Sequence, residues 1–75
     1  MKPIPTAILK SVAKRYKKHG LVTFGGFIGD NGLGLNDGQN LWRRLRKHGY
    51  LGRYSPGIYM PTDTLNAEIR TRDGK

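Results

Sequence analysis

The chain has 75 residues and a formal net charge of +9, from 14 Lys and Arg against 5 Asp and Glu. This length suits one small domain, and the absence of cysteine excludes disulfides and thiolate metal sites. No apolar run reaches membrane-spanning length, so we expect a soluble, cytoplasmic protein with no membrane partner. Such a basic chain has a polyanion as its first candidate partner.

The N-terminal quarter predicts a helix from Thr6 to His19. Residues 1–5 are expected to be extended, because proline disfavours helix in the residue before it, whereas Thr6 can cap a helix and Gly20 can end one. Apolar side chains recur on one face at helical spacing, at Ile8, Leu9, Val12, Ala13 and Tyr16. The opposite face carries Lys10, Lys14, Lys17 and Lys18.

The next stretch, TFGGFIGDNGLG from Thr23 to Gly34, contains five glycines and admits two interpretations. Phe24, Phe27 and Ile28 would share one face of a short helix, but each glycine inside it costs about 1 kcal/mol relative to alanine. The alternative is a hairpin, LVTF-GG-FIGD, because Gly-Gly suits a two-residue turn. Taken alone, the stretch slightly favours the hairpin.

A third helix is predicted from about Asn36 to His48, with Gly49 ending it. Its inner face would hold Gly38, Leu41, Trp42 and Leu45. Its outer face would hold Asn36, Asn40, Arg43 and Lys47, flanked by Gln39 and Arg44. Asn and Gln can pair with adenine and Arg with guanine, while Lys and Arg neutralise phosphates. This composition favours a face that contacts DNA.

Two apolar runs around Ser55-Pro56-Gly57 predict a β-hairpin across residues 50–61. Arg53, Tyr54 and Ser55 lie near its tip, where a basic side chain can reach a phosphate or the minor groove. The polar stretch from Asp63 to Lys75 is expected to be a loosely held tail, with at most one helical turn near 65–69. The domain would then span residues 1–62.

The order of helix, short helix, basic helix and hairpin, together with the motif RKHGYLGRYSPGIYMP, resembles the winged helix-turn-helix family. The matching positions are Leu21, Val22, Thr23, Gly32, Leu33, Trp42, Leu45, Gly49, Tyr50, Leu51, Arg53, Gly57 and Tyr59. The resemblance implies an α+β fold of three helices followed by a two-stranded wing. It also implies that residues from Phe24 to about Asn31 form the second helix, with Gly32-Leu33-Gly34 as the turn. Tertiary packing must then override the poor helix propensity of this stretch.

The resemblance implies binding of double-stranded DNA, with the third helix in the major groove and the wing near the minor groove or backbone. The candidate base-reading residues are Asn36, Gln39, Asn40 and Arg43. The candidate backbone contacts are Lys10, Lys14, Arg44, Lys47, Arg53, Tyr54 and Ser55. We expect a small stand-alone transcriptional regulator, or an accessory factor of a phage, virus or plasmid. One such unit covers a small site, so a homodimer or a cooperative array is expected.

Two other partners stay open at this point. The same fold could be a protein-interaction factor that binds a host protein such as a polymerase, with Tyr54, Ile58 and Tyr59 as anchors. RNA binding would need an exposed aromatic platform, whereas most aromatic residues are assigned to the core.

Enzymatic chemistry has no support in the sequence, and we expect no enzyme, cofactor or metal. The glycines form neither GxGxxG nor a Walker loop. The stretch DNGLGLNDG lacks the acids of a calcium loop. His19 and His48 have no acid or cysteine at ligand spacing.

Overall fold

The computed structural model describes residues 3–74, and within them the chain adopts a small α+β fold. Its elements in chain order are α1 (Thr6–His19), α2 (Phe24–Asn31), α3 (Leu35–Lys47), β1 (Leu51–Ser55), β2 (Ile58–Pro61) and α4 (Asp63–Asp73). The predicted first helix is confirmed at both ends. The second predicted helix is also confirmed, so the hairpin alternative for that stretch is wrong. The third begins and ends one residue earlier than predicted.

Capping and burial explain why a glycine-rich stretch becomes α2. The hydroxyl of Thr23 accepts a hydrogen bond of 3.2 Å from the Gly26 N–H, and Gly32 ends the helix at a φ of 61°. Phe27 is fully buried, which stabilises the fold by about 1.5–3 kcal/mol. The side-chain amide of Asn31 donates to the hydroxyl of Ser11 on α1 at 2.9 Å. Tertiary contacts therefore offset the low helix propensity.

Gly38 lies at a close contact between α3 and α2. It is buried, and a methyl group on its Cα would overlap Cγ2 of Ile28. Ile28 is β-branched, so its Cγ2 cannot easily turn away in a helix. The small residue on the inner face of α3 is therefore required by the packing of the two helices.

Gly38→Ala is expected to destabilise the fold by about 1–3 kcal/mol, because overpacking outweighs the better helix propensity of alanine. Gly29→Ala is the matched control: this glycine lies in α2 with no neighbouring atom within 4 Å of an added Cβ, and the change should stabilise by roughly 0.5–1 kcal/mol. Urea unfolding followed by the fluorescence of Trp42 measures both. Equal stabilisation by the two substitutions would contradict the close approach.

The hairpin is antiparallel and contains a bulge near its tip. Arg53 pairs with Tyr59 and Ser55 pairs with Ile58, so Tyr54 is an extra residue in β1. Val22, between α1 and α2, exchanges two backbone hydrogen bonds of 2.9 Å with Tyr59. These bonds attach the hairpin to the helical part of the domain.

The expectation of a loose tail is wrong for residues 63–74, since most of this segment is the helix α4. Leu65 is completely buried and belongs to the same core as Ile4. The guanidinium of Arg72 donates to the Ile4 carbonyl and, at 3.1 Å, to the Thr6 hydroxyl. These contacts join the two ends of the described chain, so α4 is part of the domain; Lys75 lies outside the described residues.

Candidate nucleic-acid interface

The outer face of α3 is exposed and carries the side chains that the helical pattern assigns to it. Gly38, Trp42 and Leu45 are buried, which turns the opposite side of the helix to solvent. That exposed side displays Asn36, Gln39, Asn40, Arg43 and Lys47. The structure therefore brings all four candidate base-reading residues onto one surface.

An open groove of about 570 Å³ separates α3 from the hairpin. Its lining residues are Arg43, Arg46, Lys47, Leu51, Arg53 and Tyr59. We call it the hairpin groove. Four of these six side chains are cationic and none is acidic, so the groove concentrates positive charge beside the C-terminal half of α3. A groove lined by charge of one sign raises the local concentration of ligands of the opposite charge.

A second open groove, of about 370 Å³, lies on the other side of Arg43 and Arg46. We call it the aromatic groove; it is lined by Phe24, Gln39, Trp42, Arg43 and Arg46. The two arginines form the ridge between the two grooves, because they line both. A ligand on α3 would therefore meet both guanidinium groups whichever groove it entered.

Arg46 is a further candidate for ligand contact on this surface, and the sequence pattern does not select it. Its guanidinium carbon lies 5.4 Å from the centroid of the Tyr59 ring on β2, within the range of a cation–π contact. The available sequence signal is its spacing, since Arg46 follows Gln39 by seven residues and Arg43 by three. The contact with the hairpin, which holds Arg46 in place, depends on tertiary structure.

Aromatic contacts fix α3 relative to its neighbours. The Trp42 ring lies 5.7 Å from that of Phe24, 5.2 Å from that of Phe27 and 5.1 Å from that of Tyr59, centroid to centroid. Edge-to-face and tilted pairs at such separations stabilise beyond their buried area. Trp42 thus connects α2, α3 and β2, and it sets the position of the outer face of α3 relative to the hairpin.

The hairpin tip presents two of its three candidate side chains to solvent. Arg53 is exposed and also lines the hairpin groove. Tyr54, the bulge residue, has 72% of its surface exposed. Ser55 is half-buried at the end of β1. The bulge therefore turns a tyrosine outward near the tip, beyond the basic groove.

Two other candidates, Lys10 and Lys14, do not lie on this surface. Arg44 is half-buried and flanks the outer face of α3, where helical geometry places it about 40° from Asn40. Lys10 and Lys14 lie on α1, which packs against α2, α4 and β2, whereas α3 packs against α2 and β1. Lys10 also forms an ion pair of 2.9 Å with Asp73. The structure therefore separates the basic residues into two surfaces.

Comparison with protein-family models, with curated proteins and with solved structures finds no match. Among residues 3–74, no helix is both long and apolar enough to cross a membrane. The same residues contain no cluster of three or more His, Cys, Asp or Glu that could hold a metal ion.

Proposed function

We propose that this protein is a winged helix-turn-helix that binds double-stranded DNA, with α3 in the major groove and the hairpin as the wing. One observation supports this above the others. A single surface combines exposed amides in the first half of α3 with a groove of four cations between its second half and the hairpin. The function that suits such a domain is that of a small transcriptional regulator.

The two halves of α3 supply two kinds of contact. Asn36, Gln39 and Asn40 present amides that can pair with the edge of adenine, and Arg43 presents a guanidinium that suits guanine. From Asn36 to Lys47 the helix rises by about 16 Å, which exceeds the roughly 12 Å width of the major groove. The N-terminal half can therefore reach bases while the C-terminal half meets the bordering phosphates.

The hairpin groove provides affinity without sequence preference. Arg46, Lys47 and Arg53 would each release a counterion when they neutralise a phosphate. Three such contacts give a slope of log affinity against log salt of about −2.7, or roughly a 40-fold loss of affinity between 50 and 200 mM salt. Held over Tyr59, Arg46 loses less conformational entropy on binding than a free arginine would.

The proposal is tested by selecting ligands from random duplex DNA and then measuring gel shifts at two salt concentrations. We expect enrichment of a defined motif, bound more tightly than unselected duplex and weakened by salt. Recovery of no motif, with binding that salt abolishes on every duplex alike, would contradict base reading by α3. In a separate pull-down, recovery of a single protein partner after nuclease treatment would instead favour a protein-interaction factor.

Arg43→Ala is expected to weaken binding of the selected motif by about 1–3 kcal/mol, or roughly 5- to 150-fold, and to relax preference at one base position. Arg70→Ala is the control, since Arg70 is an exposed arginine on α4 and the change removes the same charge. It should leave the preferred sequence unchanged. If the two variants bind the motif equally well, α3 is not the reading helix.

A further inference from the structure

A second basic surface lies on α1 and is not part of the α3 face. We call it the α1 surface, defined by Lys14, Lys17, Lys18 and His19, all of which are exposed. A groove of about 390 Å³ runs along it towards the end of α2. Its lining residues are Ser11, Lys14, Arg15, Lys18, His19 and Asp30, and none of them lines the hairpin groove or the aromatic groove.

The three lysines of this surface keep their charge available. The carboxylate of Asp30 accepts hydrogen bonds of 2.9 Å at both oxygens from Arg15, so this acid is already neutralised. Asp73 is engaged by Lys10. Within the described part of the chain, no ion pair involves Lys14, Lys17 or Lys18. The α1 surface is therefore an uncompensated patch of positive charge.

The hydrophobic core separates the α1 surface from the α3 face. Leu9 and Val12 on α1, and Trp42 and Leu45 on α3, belong to the same buried cluster. Because each helix turns its apolar side towards this cluster, their polar sides point away from it and from each other. The domain measures 33 × 25 × 20 Å along its principal axes. One molecule therefore presents two basic faces in different directions.

We propose that the α1 surface binds the phosphates of a second DNA duplex, so that one domain bridges two duplexes. This inference rests on the proposed function for the duplex held by α3. The composition favours phosphate over protein: the patch consists of lysines and one histidine, and lysine is depleted at protein–protein interfaces. Lysine also binds phosphate as a point charge, without the planar geometry that selects a base.

Electrostatic repulsion between the two duplexes is weak in this arrangement. The Debye length is about 8 Å at physiological ionic strength, whereas the shortest dimension of the domain is 20 Å. Salt therefore screens most of the repulsion between duplexes held on separate faces. The second duplex is bound without sequence preference, and that contact has its own salt dependence.

The test uses two probes and two double variants that each remove two positive charges at i, i+4 spacing. A duplex carrying the selected motif is attached to beads, and a fluorescent duplex without the motif is added with the full-length protein. Lys14→Gln with Lys18→Gln alters the α1 surface, and Arg43→Gln with Lys47→Gln alters the α3 face. Gel shift on the motif duplex measures binding by the α3 face separately.

We expect the wild-type protein to retain the fluorescent duplex on the beads. With the α1 variant, the amount of fluorescent duplex retained on the beads should be at least about 10-fold lower, while the affinity for the motif duplex changes by less than about 3-fold. The α3 variant should lose binding to the bead-bound motif itself.

Different outcomes separate the inference from the proposed function. Binding of the motif without capture of the fluorescent duplex overturns bridging and leaves the proposed function intact. Full retention of capture by the α1 variant also overturns bridging. A parallel loss of capture and of affinity for the motif duplex overturns it as well, because both faces would then lie on one duplex. Failure of the wild-type protein to bind any duplex overturns the proposed function and the bridging with it.

Discussion

Leu65→Ala is expected to lower the free energy of unfolding by about 2–5 kcal/mol, the usual cost of truncating a core leucine. Leu65 has no exposed surface and is the buried residue of α4. A domain of this length has a total stability of only about 4–11 kcal/mol, so the loss is a large share of it. The midpoint of thermal unfolding should fall by at least roughly 10 °C.

Leu35→Ala makes the same chemical change at an exposed site and serves as the control. Leu35 begins α3 with 60% of its surface exposed, and its truncation should alter stability by no more than about 0.5 kcal/mol. Fluorescence of the single Trp42 during urea unfolding reports both variants. If Leu65→Ala were as mild as Leu35→Ala, α4 would not be docked on the core.

Under the proposed function, the effect of Leu65→Ala on DNA binding should be indirect. The helix α4 packs against α1 and β2, away from α3. Below its unfolding transition the variant should therefore bind the selected motif as the wild-type protein does. A gel shift at low temperature checks this, and weakened binding there would mean that α4 positions the α3 face.

Helices with a regular apolar stripe are predictable from this sequence, and α4 shows why others are not. The helix α1 combines such a stripe with the stop glycine Gly20, whereas the predicted cap at Thr6 is wrong, since Pro5 is the N-cap residue. The helix α4 contributes a single fully buried residue, Leu65, so it has no clear stripe. Its other anchor is a bond from Arg72 to the carbonyl of Ile4, 68 positions earlier. Contacts over that distance leave no local pattern.

The stretch that forms α2 was ambiguous for a different reason. Local propensity favours a turn at Gly25-Gly26, and only the resemblance favoured a helix. The contacts that decide the outcome are tertiary: Phe27 enters the core and Ile28 occupies the space left by Gly38. Neither contact can be derived from the stretch itself.

The candidate site was predictable on α3 and less so elsewhere. A helical wheel places Asn36, Asn40 and Arg43 on one face, and the structure exposes all three. The wheel does not select Arg46, whose place in the site follows from its contact with Tyr59 of the hairpin. For Lys14 the sequence shows the charge, while its separation from α3 follows from how the helices pack.

Trp42→Ala is expected to destabilise the domain by about 3–5 kcal/mol, the usual cost of removing a large core aromatic. The substitution deletes the ring that contacts Phe24, Phe27 and Tyr59 at once. It also removes one of the side chains that line the aromatic groove. Because the ring of Trp42 joins α3 to Tyr59 of the hairpin, its loss should loosen the arrangement of α3 and the hairpin.

Trp42→Phe is the control, since phenylalanine keeps a ring against the same neighbours and should cost less than the alanine variant. Circular dichroism at increasing temperature compares the two without needing tryptophan fluorescence. At a temperature where both are folded, Trp42→Ala should bind the selected motif more weakly than Trp42→Phe, because only the latter retains a ring to hold α3 against the hairpin. Equal binding by the two folded variants would show that DNA binding needs α3 alone, and would remove the hairpin groove from the proposed interface.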